Sequence, residues 1–322
     1  MNLRKISVCL SVTAFVVVVL GGTALAAWPE KDIEFMVPWK AGGGSDTMAR
    51  FIVKAIKDNN LSPKPIVVVN KPGGNGQIGS AYVINKKGGG YTWMTLSSGQ
   101  ISIPLAGLGK IKATQFTPLA QMAGDVNLLV VKTDSPYKSV KDVVEAAKGK
   151  TLNIGGSGRG SEDHICTYLL EKGTGIKLNY VSFSGGSGVM SNLLGGHVDI
   201  AWANPNECLS QVKGGLARIL AVTKEDRLKL LPDVPSFKEQ GYDVVFWQVR
   251  GVHGPPDMPQ EAIDGSIALL KKAAATDVWA KEYVEGKVLT PRFIPGTEYT
   301  KVIKDNEEMF REALKAMGLL KE

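Results

Sequence analysis

Two hydrophobic periods take turns along this chain. Apolar, β-branched runs predict strands at 33–37, 66–69 and 91–96. After the first of these, Met48, Phe51, Ile52 and Ile56 recur at helical spacing and predict an amphipathic helix over 45–57. A shorter helix is expected at 79–85. The same alternation resumes near Asp125, with strands at 127–132, 152–154, 178–183, 198–203 and 217–222 and helices at 139–147, 162–171, 187–194 and 205–212. Ser139 is placed to cap its helix, with Asp142 and Glu145 near the start. A last strand is expected at 244–249, before Gly254-Pro255-Pro256; the remainder, 259–317, reads as mainly helical with a short strand near 291–294. Such βαβ alternation builds open, mostly parallel sheets. There is no fixed repeat, no low-complexity segment and no long Pro/Ser linker, so two α/β units joined by short crossing strands are expected.

The N-terminus changes the picture. Arg4 and Lys5 precede an uncharged apolar run, 6–20, which ends at Gly21-Gly22 and is followed by Ala24-Leu25-Ala26. That layout is a secretory signal peptide over residues 1–26. The run is shorter than the roughly 20 residues of a spanning helix, and Cys9 lies too early for a lipidation site. The mature chain of about 296 residues suffices for two domains. Removing residues 1–26, which hold Arg4 and Lys5 and no acid, takes the formal charge from +7 to about +5. The basic residues are not clustered or interleaved with aromatics, which argues against nucleic acid as a partner. The mature cysteines, Cys166 and Cys208, could pair in an oxidising compartment or serve as small buried apolar residues; the second is favoured.

Candidate chemistry sits just after the strands. Strand 33–37 runs into Trp39-Lys40-Ala41-Gly42-Gly43-Gly44-Ser45-Asp46, and strand 66–69 into Asn70-Lys71-Pro72-Gly73-Gly74-Asn75-Gly76. The third meets Ser97-Ser98-Gly99. In the second unit, 152–154 leads to Gly155-Gly156-Ser157-Gly158-Arg159-Gly160-Ser161 and 178–183 to Ser184-Gly185-Gly186-Ser187. Ligands of open α/β sheets bind outside the carboxyl ends of strands. Glycine admits close backbone approach, and a helix start offers unpaired N–H groups and partial positive charge, which together favour an anion. One such loop is ordinary turn chemistry; five on two similar units point to a shared cleft.

Enzyme chemistry finds little support. Gly74-Asn75-Gly76-Gln77-Ile78-Gly79 fits a dinucleotide fingerprint, yet no Asp or Glu occurs from Asn59 to Gly124 to hold a ribose. There is no nucleophile elbow and no Walker sequence. His164, His197 and His253 lack metal-ligand spacing, so neither cofactor nor metal is expected. An exported enzyme acting on a small carboxylic acid remains the competing reading, with only His164 and Asp46 as candidate groups. His164 is expected to bond its own loop, and Asp46 to stabilise its helix start.

The ordered series of segments resembles the substrate-binding proteins of tripartite tricarboxylate transporters, the Bordetella-uptake-gene group of periplasmic solute receptors. It runs from Trp28-Pro29 through Gly42 to Asp46, Asn70-Lys71-Pro72-Gly73-Gly74, Gly76 to Gly79, Gly90-Tyr91-Thr92 and Ser97-Ser98-Gly99. It continues through Gly158, Gly160-Ser161, His164, the stretch Leu193 to Asp199, Leu220 to Thr223 and Leu231 to Pro235. The resemblance implies a two-lobe Venus-flytrap α/β fold, type II-like, with C-terminal helices returning to the first lobe. Lobe 1 would comprise 27–124 plus 250–322, and lobe 2 would comprise 125–249. It implies a monomeric periplasmic receptor that hands a small carboxylate to two membrane subunits. Candidate contacts carried over by position are Gly43, Gly44, Ser45, Asp46, Gly74, Ser97 and Ser98 from one lobe. From the other come Ser157, Gly158, Ser161, His164, Ser184 and Gly185. Trp39 and Lys40 stand where an aromatic and a proline are common, Arg159 where a small polar residue is usual, and Phe183 where tyrosine is frequent. Trp39 and Arg159 join the candidates; if Lys40 and Arg159 both face the cleft, they could hold a second ligand carboxylate, favouring a dicarboxylate.

Overall fold

A computed structural model describes residues 28–183 and 185–321. The expected signal peptide and Ser184 lie outside these residues. The chain opens with β1 (Ile33–Val37), α1 (Gly44–Asp58), β2 (Ile66–Asn70), α2 (Gln77–Ile84), β3 (Thr92–Ser97), α3 (Gly99–Leu105) and β4 (Thr117–Asp125). It crosses to a second sheet through β5 (Leu128–Lys132), α4 (Val140–Gly149), β6 (Leu152–Ser157), α5 (Glu162–Thr174), β7 (Leu178–Phe183), α6 (Gly185–Leu194), β8 (Ile200–Ala203), α7 (Pro205–Lys213) and β9 (Ala217–Val222). It returns as β10 (Gln248–Gly254), then α8 (Gln260–Ala274), β11 (Thr290–Pro295) and α9 (Gly296–Ala316).

Local sequence accounts for most of these elements. Met48, Ile52 and Ile56 of α1 are buried, while Phe51 is half-buried with its ring 5.2 Å from that of Tyr283. Ser139 caps α4 as expected: its hydroxyl accepts from Asp142 N–H at 3.2 Å, and the Asp142 carboxylate accepts from Ser139 N–H at 2.9 Å.

The sheets depart from the mostly parallel expectation. The first runs β11-β4-β10-β3-β1-β2 and the second β7-β6-β8-β5-β9. Within them β1 pairs in parallel with β2 and β3, and β6 with β7 and β8. However, β10 is antiparallel to β3 and β4, and β5 to β8 and β9. The crossing strands enter each sheet from the other unit and arrive from the opposite end. The strand expected at 244–249 lies instead at 248–254. Val244 and Phe246 are buried but irregular, with Phe246 N–H donating to Thr223 C=O at 2.8 Å, because only from Gln248 onward does the backbone have β3 and β4 beside it.

The two crossings, 125–128 and 246–248, are tied together. Asn127 N–H donates to Thr223 Oγ1 at 3.0 Å, and that hydroxyl donates to Phe246 C=O at 3.0 Å. The C-terminal helix α9 packs on β4, β11 and α3 of the first sheet and also reaches α5 of the second unit. Cys166 and Cys208 are free and buried in different core clusters. Among the described residues, no helix is long and apolar enough to cross a membrane.

Candidate functional site

The five post-strand loops meet at one cleft of about 900 Å³. The loop after β1 contributes Trp39, Lys40, Ala41 and Gly43, and the loop after β2 contributes Pro72, Gly73, Asn75 and Gly76. Ser97 and Gly99 enter from the end of β3, with Ser102, Ile103 and Leu108 beyond. From the second unit come Ser157, Gly158, Arg159, Ser161 and Glu162, then Phe183, Gly185 and Ser187. Of the candidate contacts, Trp39, Gly43, Ser97, Ser157, Gly158, Arg159, Ser161 and Gly185 thus share one space. Lys40 and Arg159, left open by the sequence, both line it and are exposed.

Donors in this cleft come mainly from the backbone. The N-caps of α1, α2 and α5 are Gly43, Gly76 and Ser161, and none makes a side-chain capping bond. Two of the hydroxyls are already committed as donors. Ser157 Oγ donates to the Asp163 carboxylate at 2.8 Å, and Ser161 Oγ to Gly158 C=O at 3.0 Å. Trp39 packs over Gly76, where a Cβ would come within 3.2 Å of its ring, and its indole N–H is buried without a partner. What remains to meet an anion is therefore helix-start N–H groups, one indole, the unpartnered Ser102 hydroxyl and the two cations Lys40 and Arg159.

Other candidates serve the scaffold. Gly44, Ser45, Asp46, Gly74, Ser98 and His164 are not among the residues lining the cleft. Asp46 is buried and accepts from Gly42 N–H at 2.8 Å, Arg50 Nε at 2.8 Å and Asn70 Nδ2 at 2.9 Å, pinning the first loop to β2. Burial alone would raise its carboxyl, but those bonds outweigh it and hold Asp46 below the usual carboxylate range. Ser98 Oγ accepts from Val249 N–H at 2.9 Å, a tie to β10. His164 Nδ1 accepts from Gly160 N–H at 3.1 Å and its ring stacks on Tyr180 at 4.0 Å. Burial, assisted by the Arg159 charge, lowers His164 to about 4. Ser45 is buried in the first turn of α1, and Gly74 holds a left-handed bend at φ +54°.

The floor beneath the loops holds charges that sequence reasoning missed. Arg250 of β10 is buried against Asp125 of β4, with Nη2 2.5 Å and Nε 3.1 Å from Oδ2. Burial works against its charge, but Asp125 outweighs that and keeps Arg250 protonated. Gly44 is glycine because Arg250 lies under it: a Cβ there would stand 2.6 Å from Nη1. Gly186 likewise leaves room for the Glu207 carboxylate, which a Cβ there would overlap. Asp163 accepts from Ser157 N–H at 2.7 Å and from the Asn127 amide. Asn127 in turn accepts from Gln248 Nε2 at 3.1 Å. Burial, then the charge of Glu207, pushes Asp163 up to about 6, and burial also raises Glu162 and Glu207. One sequence signal was available, an arginine inside the otherwise uncharged run Gln248-Val249-Arg250-Gly251; nothing in sequence brings Asp125 to it.

Comparison with known proteins places this arrangement. The family model for the tripartite tricarboxylate transporter family receptor matches residues 49–319. A Pseudomonas sp. (strain P51) protein from the tcbD-tcbE intergenic region is 29% identical over 269 residues, covering 79% of this chain and 77% of its own. A solute-binding protein of this type from Polaromonas, solved without ligand, superposes with a TM-score of 0.77 at 29% identity, over 90% of this chain and 100% of its own. An R. palustris protein solved with adipate shares the fold, with a TM-score of 0.79 at 24% identity over 90% of this chain and 98% of its own. These neighbours are solute-binding proteins rather than enzymes, and the two-lobe α/β fold is theirs. The chain belongs to the tripartite tricarboxylate transporter receptor family.

Proposed function

We propose that this protein is an extracytoplasmic receptor that holds one small organic acid in the cleft and delivers it to two membrane subunits of a tripartite tricarboxylate-type transporter. The observation that carries this is the convergence of five loops, from both sheets, on one cleft with uncapped helix starts. A carboxylate there would be held by backbone N–H groups at Gly43 and Ser161, by Trp39 Nε1, and at the mouth by Lys40 and Arg159. Ser97, Ser157, Gly158 and Gly185 complete the walls in this reading. The bound adipate of one structural neighbour supports an acid as the ligand class. Export through residues 1–26 would deliver the protein to the periplasm as a monomer.

The lobes of this reading are 27–124 with 250–322, and 125–249. The first sheet draws its strands from 33–125 and 248–295 and the second from 128–222, which supports that division. Ligand binding would close them about the Asn127–Thr223–Phe246 tie. Closure needs differential contact with the closed state. Two or three charge-assisted hydrogen bonds of about 1.5–3 kcal/mol each supply it.

Thermal-shift screening of the mature protein against an organic-acid library, followed by calorimetry, tests the reading. An acid should raise the melting temperature and bind at one per chain, to be recovered chemically unchanged. Stabilisation by sugars or cations alone, or conversion of the acid to product, would refute it.

A further inference from the structure

Three charged side chains line the cleft: Lys40, Arg159 and Glu162. Two fit the carboxylate of the preceding reading, on which this inference rests. Glu162 does not. An acid in the first turn of a helix is ordinarily a stabilising neighbour of the N-terminus. In α5 the adjacent Asp163 has its own partners away from the cleft, accepting from Ser157 N–H and Oγ and from Asn127. Glu162 accepts only from backbone, its own N–H and that of Gly99, with Oε1 3.7 Å from where a Cβ of that glycine would stand, and it forms no salt bridge within 4.0 Å among the described residues. The cation whose charge reaches it, Arg250, is bound to Asp125. Asp125 and Glu207 draw on that same arginine, and Asp163 lies beside Glu207, so the floor has more acids than bases.

A plain dicarboxylate drawn in by Lys40, Arg159 and the helix starts would bring like charge toward Glu162. A ligand carrying a protonated amine beside its carboxylate would bring the missing cation. We infer that Glu162 is a specificity-determining residue that selects amino-substituted carboxylates over their unsubstituted counterparts, its carboxylate accepting hydrogen bonds from the ligand ammonium. With two cations and one anion on the wall, the best charge match is a ligand of net charge −1. An aminodicarboxylate has that charge.

Calorimetric titration of the mature protein with pairs that differ only by the amine tests this: succinate and aspartate, glutarate and glutamate, adipate and 2-aminoadipate. For the pair whose length fits, the aminated acid is expected to bind at least about 10-fold tighter at pH 7 (one tenfold step being 1.4 kcal/mol). In Glu162→Gln that preference should shrink to about 3-fold or less, with the plain acid gaining. Glu162→Ala should behave likewise, and the melting temperature of each free variant reports whether it is folded. Equal affinity within every pair, or a preference unchanged in both variants, would overturn the inference and leave the receptor reading intact. So would a wild-type protein that takes the plain diacid more tightly as pH falls, since a protonated Glu162 would then be its donor. Binding of no acid, plain or aminated, overturns the receptor reading itself.

Discussion

At the scale of single residues, buried titratable groups give this protein opposing pH slopes. Burial lowers His164 to about 4 and His253 to about 3, so the unfolded chain takes up protons first as pH falls below about 6.5. Each histidine therefore withdraws stability on acidification. Asp163 does the reverse. Its folded carboxyl titrates at about 6 against 3.8 unfolded, so the folded state takes the proton first, and stability from this group is present at low pH and lost as pH rises through 6. Each window spans two or more pH units, on the order of 3 kcal/mol in full. Denaturant unfolding at pH 7 and pH 5 should show the acid-side loss flattened by about 1–2 kcal/mol in His164→Gln and steepened by about 1–2 kcal/mol in Asp163→Asn. Superimposable slopes for wild type and both variants would contradict the assignment. Residues of this kind were only half legible beforehand. The loop bond of His164 and the structural role of Asp46 follow from their positions at helix starts. Asp163 reads equally as a surface helix-start acid until Asn127, Ser157 and Glu207 are brought around it from distant segments.

At the scale of elements, glycine in these loops has two different uses. Gly43 and Gly44 are neighbours at the start of α1 and indistinguishable in sequence. A Cβ at Gly43 would meet only Lys40 C=O at 3.5 Å, an ordinary contact, whereas at Gly44 it would enter the Arg250 guanidinium and push it from Asp125. Disturbing a buried, paired charge is costly. Gly44→Ala should lose about 2–4 kcal/mol of stability in denaturant unfolding, and Gly43→Ala should stay within about 0.5 kcal/mol. Equal losses would mean Arg250 can relocate freely. The helices and parallel strands were readable because each carries its own period: Met48, Ile52 and Ile56 face one way whatever surrounds them. By contrast β4, with Pro118 and Gly124 within Thr117–Asp125, has little strand propensity. It is a strand because β10 and β11 flank it, with register shifts on both sides. In the second sheet the strands β5, β8 and β9 were each legible, and only their antiparallel pairing was hidden. In the first sheet β10 and β11 come from the far end of the chain, and such distant pairing leaves no local pattern.

At the scale of the whole molecule, the two sheets are not independent bodies on a string. One buried cluster holds Leu96, Ile101 and Leu105 from the first unit with Ile154, Ile165 and Leu170 from the second, and α9 supplies Tyr299, Phe310 and Leu314 to it. Phe310 is fully buried, 6.0 Å from Phe246 at the return crossing, in an edge-on arrangement at 62°. Either unit unfolding alone would expose its half of this shared apolar surface while breaking the ladder through Asn127, Thr223 and Phe246. Coupling of that kind makes the lobes melt together, even though each sheet has a further core cluster of its own. Calorimetry should therefore give one heat-absorption peak for the full mature chain, with van't Hoff and calorimetric enthalpies in agreement. Removing the ring in Phe310→Ala should cost about 3–5 kcal/mol and move that single peak downward without splitting it. A ligand that bridges the cleft should move the same peak upward as a unit. Two resolved transitions in the wild type, only one of them responding to Phe310→Ala, would show that the C-terminal helix belongs energetically to one lobe. In that case closure would be a free hinge rather than a rotation about a shared core.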